Sequence, residues 1–220
     1  MEREIDVIAK YWDDYSPEFD AAHDTEDIDL WREELSRLTE RKTGLKVLDI
    51  GTGTGFLALM LAELGNDAWG IDVSDKMMEL GRQHAEERQV KVTFQHSEGE
   101  HLPFADDTFD VVVNCRVLWT LVEPEVSLKE WKRVLKPGGK MLGFMRKHVK
   151  DWSYSVYEGG LDDRLPLKNA TDDVYIHYLS RAEYTNPQVI DMPPELTVRK
   201  EGKDGEPMPP WVCVYGEKPL

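Results

Sequence analysis

The stretch Lys46-Val47-Leu48-Asp49-Ile50-Gly51-Thr52-Gly53-Thr54-Gly55 decides the fold. It reads as a short buried strand that breaks into three alternate glycines. The apolar run Phe56-Leu57-Ala58-Leu59-Met60-Leu61-Ala62-Glu63-Leu64 follows at once and is long enough for a helix. Strand, glycine turn and helix together make a ligand-binding arrangement. Glycine lets the backbone take positive φ or approach a ligand with no Cβ in the way, and the helix start offers free N–H groups and a positive dipole end. The glycine spacing separates two ligand classes. A dinucleotide fingerprint needs its third glycine at position 56. That residue is Phe56, the third glycine is Gly55, and an acid, Asp49, precedes the loop.

Downstream, Asp67-Ala68-Trp69-Gly70-Ile71-Asp72 reads as a second strand that also ends in an acid. Asp72 follows Gly51 at about the 20-residue offset at which a doubly wound nucleotide site places a carboxylate for the ribose. Two vicinal hydroxyls are two donors, and an ionised carboxylate has two acceptor oxygens to meet them. Ser74 reads as the cap of a helix from Asp75 to Arg88. Lys91 to Gln95 alternates as a third strand. Phe109-Asp110-Val111-Val112-Val113-Asn114-Cys115 is a β-branched run of the kind buried on both faces of a parallel sheet. Ligands sit beyond the carboxyl ends of such strands, which draws attention to Asn114, Cys115, Arg116, Leu118 and Trp119. Pro124 opens a further helix whose stripe is Leu128, Trp131, Val134 and Leu135. Leu135-Lys136-Pro137-Gly138-Gly139 ends it before a strand from Lys140 to Met145.

The D-x-G-x-G-x-G form of Asp49 to Gly55 resembles motif I of the class I S-adenosylmethionine-dependent methyltransferases. Ile71-Asp72-Val73-Ser74-Asp75-Lys76-Met77 resembles the family's motif II, and Glu98-Gly99-Glu100-His101-Leu102-Pro103-Phe104 its motif III, with Ser97, Glu98 and Gly99 where glycine, aspartate and alanine are usual. Asn114 occupies motif IV, and the Leu-Lys-Pro-Gly-Gly turn is the family's also. The resemblance covers residues 46 to 145. It implies a Rossmann-like α/β fold, doubly wound, with a seven-stranded, mostly parallel sheet and an N-terminal helical lid, in one domain: lid 1–43, cofactor-binding core 44–146, and 147–220 completing the sheet and the substrate side. It implies S-adenosyl-L-methionine as cofactor and S-adenosyl-L-homocysteine as product. Asp49, Gly51, Thr52, Gly53 and Gly55 would hold the methionine portion, Asp72 the ribose, Val73, Met77, Glu98 and Gly99 the adenine, with Asn114 facing the methionine part. Arg116 and Trp119 fall where cofactor and substrate meet. For Arg116, pairing with an anionic ligand and a salt bridge to a nearby acid stand as equal alternatives.

Residues 3 to 41 read as helical. Ile28, Trp31, Leu35 and Leu38 share one helix face and would cover a sheet edge. For Tyr11, Trp12, Tyr15 and Phe19, pocket lining and plain core packing stand as equal alternatives. Tyr11, Tyr15, His23 and His148 are the candidates for a general base. Past Met145, Asp172–Tyr184, Leu196–Lys200 and Trp211–Gly216 are the pieces available for the last helix and hairpin, with Asn186-Pro187 among the intervening breakers. A helical edge or loop between Arg146 and Lys168, with Trp152, Tyr154 and Tyr157, could close over a substrate.

The chain's 220 residues suit one α/β domain. A net charge of −16 and pI near 4.8 argue against a nucleic-acid or anionic-membrane partner. The charged N-terminus, the absence of a membrane-length apolar run, and two distant cysteines, Cys115 and Cys213, point to a cytoplasmic protein with reduced thiols and no metal site. The expected partner is a small-molecule methyl acceptor, with oligomeric state open. The alternative is a non-catalytic module that binds the cofactor or its product as a regulator or partner subunit. A nicotinamide-dependent reductase is disfavoured by Phe56.

Overall fold

Apolar runs too short for helices and bounded by glycine or polar turns become the central strands. A computed structural model of the chain describes residues 3–19, 26–148, 155–197 and 208–220. His23, Trp152, Tyr154 and residues 198–200 lie outside the described residues. The strands are β1 (Lys46–Ile50), β2 (Asp67–Asp72), β3 (Val92–His96), β4 (Phe109–Cys115), β5 (Leu135–Arg146), β6 (Thr185–Asp191) and β7 (Trp211–Glu217). The helices are α1 (Glu4–Phe19), α2 (Ile28–Leu38), α3 (Phe56–Glu63), α4 (Asp75–Glu87), α5 (Pro124–Val134) and α6 (Asp172–Arg181). One seven-stranded sheet runs β3-β2-β1-β4-β5-β7-β6, with only β7 antiparallel to its neighbours.

Side-chain parity sorts the sheet's two faces. Leu48, Ile50 and Val112 pack on one side with Leu128 and Trp131 of α5 and Leu179 of α6. Val47, Val111 and Val113 pack on the other with α2 and α3. The Trp31 ring of α2 lies 5.2 Å from both Phe144 and Trp211 and 5.4 Å from Phe56. The α2 stripe therefore covers the face formed by β5 and β7, not a sheet edge; the edges are β3 and β6.

Two other expectations are corrected. The Leu-Lys-Pro-Gly-Gly turn is a bulge within β5: Phe109 pairs with Leu135, but Val111 already pairs with Lys140. The sixth strand is Thr185–Asp191, which contains Asn186-Pro187, and Leu196 instead ends a short 3-10 turn at Pro194–Leu196. Proline is tolerated because β6 is an edge strand and its pairing shifts register between Thr185 and Gln188, with Asn186 at φ 50°.

Candidate active site

The order of strands about β1 reverses between β2 and β4, and a crevice opens beyond their carboxyl ends at this switch point. The three loop glycines all have positive φ, 64° at Gly51, 54° at Gly53 and 90° at Gly55. A Cβ at Gly51 would lie 2.4 Å from Val117 Cγ2, so the loop after β4 closes down on the first glycine. Gly55 starts α3 and donates its N–H to Thr52 O at 2.8 Å, packing against Leu59 and Phe94 away from the crevice.

The cleft encloses about 800 Å³ including its open mouth, within the range of small-molecule sites. Gly51, Gly53, Asp72, Val73, Met77 and Gly99 line it, as does Arg116. Asp49 and Thr52 line an adjoining recess with Gly51, Gly53, Cys115 and Arg116. The sequence-predicted residues thus converge in large part on one place. Helix α1 supplies a wall that the motifs do not contain: Ile5, Ile8, Trp12 and Phe19 face the same cleft. The aromatic cluster divides accordingly. Trp12 and Phe19 line the cleft, whereas Tyr11 packs on Trp12, Tyr15 and Tyr157, and Trp12 donates from Nε1 to the Tyr157 hydroxyl at 3.1 Å.

Both strand-end acids are buried. Asp49 Oδ2 accepts from Thr52 Oγ1 at 2.8 Å and from the Ala58 N–H of α3 at 3.1 Å, while Oδ1 is buried without a protein partner. Burial raises the Asp49 carboxyl to about 7; the two hydrogen bonds oppose the rise and nearby Asp72 adds to it. Asp72 accepts from Gly53 N and Ser74 N, each at 2.8 Å. Its carboxyl is also raised by burial, against the pull of the backbone donors. Each Asp72 oxygen keeps a further lone pair for a hydroxyl. Ser74 Oγ caps α4 through Met77 N and donates to Asp13 of α1 at 2.6 Å, tying the new wall to the motif II loop.

Several predicted residues lie elsewhere. Glu98 is held by Arg3, which precedes α1, Oε1 to Nη1 at 2.8 Å, and does not line the cleft. Its neighbour Glu100, not singled out by sequence, does. The backbone turns at Gly99 and Glu100, so residues two apart part company. Asn114 is fully buried on the sheet face it shares with Val112, with Nδ2 3.9 Å from Met141 Sδ, so it does not face the cleft. Trp119 sits on a 3-10 turn that directs it inward, stacked on Tyr157 at 5.5 Å. Among the candidate bases, Tyr11 and Tyr15 pack with other aromatics, and His148 lines a separate surface depression with Thr171 and Asp172.

Arg116 has an acidic partner and also lines the cleft. Its Nη2 lies 3.0 Å from Oε1 of Glu26, and Arg146 Nη2 lies 2.9 Å from the same oxygen. The indole N–H of Trp211 donates to the other Glu26 oxygen at 2.9 Å. This buried cluster fixes one side of Arg116 where it borders the cleft. Burial pushes the thiol of the neighbouring Cys115 up to about 12.

The residues fit an adenosyl sulfonium cofactor: a Cβ-free loop and the Asp72 carboxylate line the cleft, and Asp49, with its unpartnered buried carboxylate oxygen, lines the recess that adjoins it. A family model described as "Methyltransferase domain" matches residues 48–143. The demethylmenaquinone methyltransferase of Paenarthrobacter aurescens is 32% identical over 83% of this chain and 65% of its own length. That of Renibacterium salmoninarum is 31% identical over 83% of this chain and 69% of its own. The chain belongs to the class I S-adenosylmethionine-dependent methyltransferase family. The chain spans about two thirds of the length of these curated relatives. A solved S-adenosylmethionine-dependent methyltransferase from Aquifex aeolicus shares the fold, with a TM-score of 0.64 at 23% identity over 89% of this chain and 92% of that one. The family's cofactor is S-adenosylmethionine, as the motifs imply. No helix among the described residues is long and apolar enough to cross a membrane, and no group of three or more His, Cys, Asp or Glu among them is placed to hold a metal.

Proposed function

We propose that the chain transfers the methyl group of S-adenosylmethionine to a small apolar acceptor. The carrying observation is that one cleft has two kinds of wall. The β1, β2 and β3 loops present backbone and the acid Asp72, with Asp49 in the adjoining recess, while Ile8 and Trp12 of α1 and Val117 and Leu121 after β4 present hydrocarbon and an aromatic ring. In this reading Asp49 with Gly51 and Gly53 holds the methionine portion, Asp72 the ribose, and Val73, Met77 and Gly99 the base. S-adenosylmethionine supplies an electrophilic sulfonium methyl. The protein's part is to hold the acceptor atom in line with it and to exclude water with the α1 wall, which acts as the lid. The demethylmenaquinone methyltransferases among the relatives support an apolar ring as acceptor.

The test is transfer of labelled methyl from S-adenosylmethionine to a panel of demethylated quinols, phenols and amines. Labelled product with an apolar ring acceptor supports the proposal; tight cofactor binding with no transfer to any of them contradicts it. The second reading, a cofactor-binding module without turnover, is favoured by one observation: the described residues lining the cleft include no histidine or tyrosine.

A further inference from the structure

Helix α1 lines the cleft with Ile5, Ile8, Trp12 and Phe19, and of these only Trp12 carries a polar side-chain atom. Its indole N–H does not serve the cleft. It donates at 3.1 Å to the hydroxyl of Tyr157, a residue that is 3% exposed and outside the cleft lining. A buried hydroxyl is costly unless it is bonded, and among the described residues the Tyr157 hydroxyl makes this one hydrogen bond. Trp12 is thus what a hydroxyl at position 157 has to bond.

Tyr157 is itself fixed. Its ring stacks on Trp119 at 5.5 Å and meets Tyr11 edge-on at 5.3 Å. Its main chain is pinned by the buried Asp162, whose carboxylate accepts from Tyr157 N at 2.9 Å, Val156 N at 3.0 Å and Ser155 Oγ at 2.5 Å. Because Trp119 follows β4, this anchor keeps the polar edge of the indole on the β4 side of the cleft. There Val117 and Leu121 present hydrocarbon, and the Thr120 hydroxyl donates to Val117 O at 2.8 Å. Both side-chain donors of this wall are committed inside the protein.

We infer that Tyr157 is a positioning residue that sets acceptor choice. It holds the Trp12 N–H out of the cleft, so the wall formed by α1 and residues 117–121 offers no side-chain donor and takes a ring edge without hydrogen-bonding substituents. The inference rests on the proposal that this cleft takes the adenosyl cofactor and an apolar acceptor. Tyr157→Phe leaves the indole N–H without its partner. A hydroxyl on the acceptor ring then gains a donor that the wild type withholds.

Calorimetric titration of the intact chain, first saturated with S-adenosylhomocysteine, with 1-naphthol and with 1,5-dihydroxynaphthalene tests this. 1-Naphthol can turn its one hydroxyl away from the wall, whereas the diol carries a hydroxyl at both ends. The wild type is expected to bind 1-naphthol about tenfold more tightly, the cost of burying one unpaired hydroxyl. Tyr157→Phe is expected to lose most of that preference. In a Trp12→Phe background no N–H remains to be released, and there Tyr157→Phe is expected to leave the preference as it is. A misfolded fraction lowers the number of sites and not the ratio of affinities. An unchanged preference in Tyr157→Phe, or an equal loss in both backgrounds, would overturn the inference while leaving the cofactor reading intact. A wild type that binds S-adenosylhomocysteine but neither ring compound would overturn the apolar acceptor, and one that does not bind S-adenosylhomocysteine the cofactor reading; either result would take this inference with it.

Discussion

Replacing Asp49 by asparagine separates the cost of a ligand site from its use. In the folded chain the carboxyl titrates at about 7 against an ordinary 3.8. At about 1.4 kcal/mol per pH unit, this is about 4 kcal/mol against ionising it in place. Between those two values the native chain binds more protons than the unfolded chain, so the contribution of this group makes stability fall as pH rises through the window. Above it the full penalty is present. The neutral amide would keep an oxygen for Thr52 Oγ1 and the Ala58 N–H. It would also place an N–H where Oδ1 now lies unpartnered, at a cost of about 1–3 kcal/mol. Asp49→Asn should therefore stabilise the cofactor-free protein by about 1–3 kcal/mol at pH 8, where the penalty of about 4 kcal/mol applies. The gain should shrink as pH falls toward 4. Affinity for S-adenosylmethionine, whose cationic groups the carboxylate would face, should drop at least about tenfold. Urea unfolding at several pH values and calorimetry on the same preparations give both numbers. A variant less stable than wild type at pH 8, with cofactor affinity unchanged, would refute the reasoning.

Asp72→Ala should weaken cofactor binding by about 1.5–3 kcal/mol, the range for hydrogen bonds to a charged group, measured by calorimetry; unchanged affinity would place the ribose elsewhere. Gly51→Ala should destabilise through both the 2.4 Å approach of Val117 and the 64° φ. Combining it with Val117→Ala should recover only the steric part, so a double-mutant cycle in urea unfolding should show coupling between the two sites. Glu26→Gln leaves Arg116 and Arg146 without their shared buried charge and should cost about 3–5 kcal/mol of stability. A urea midpoint within error of wild type would show that cluster to be dispensable.

The parallel half of the sheet was legible because β1 and β4 are largely apolar runs, β3 alternates with period two, and the loop after β1 carries glycines that take positive φ. Asp49, Asp72, Val73 and Met77 sit at strand ends or at a capped helix start, where chain order alone fixes position. What escaped notice depends on tertiary contact or on backbone direction. The sequence offers Trp12 and Phe19 as pocket lining or core alike, and nothing in the spacing of Ile5 and Ile8 says that α1 crosses the cleft. A turn at Gly99 and Glu100 decides which of two nearby glutamates faces inward, and residue offset cannot report it. Trp119 follows β4 as expected, yet a 3-10 turn rotates it under Tyr157. Asn186-Pro187 reads as a breaker and is one in a central strand; at an edge with a register shift it costs the sheet little. Glu26 has no signature in the sequence, because its meaning comes from arginines at positions 116 and 146.

The most direct measurement is calorimetric titration of the wild-type chain with S-adenosylmethionine, S-adenosylhomocysteine and a nicotinamide dinucleotide. The account expects saturable binding of the first two at one site per chain and none of the third. Binding of the dinucleotide alone, or of none of the three, would contradict it.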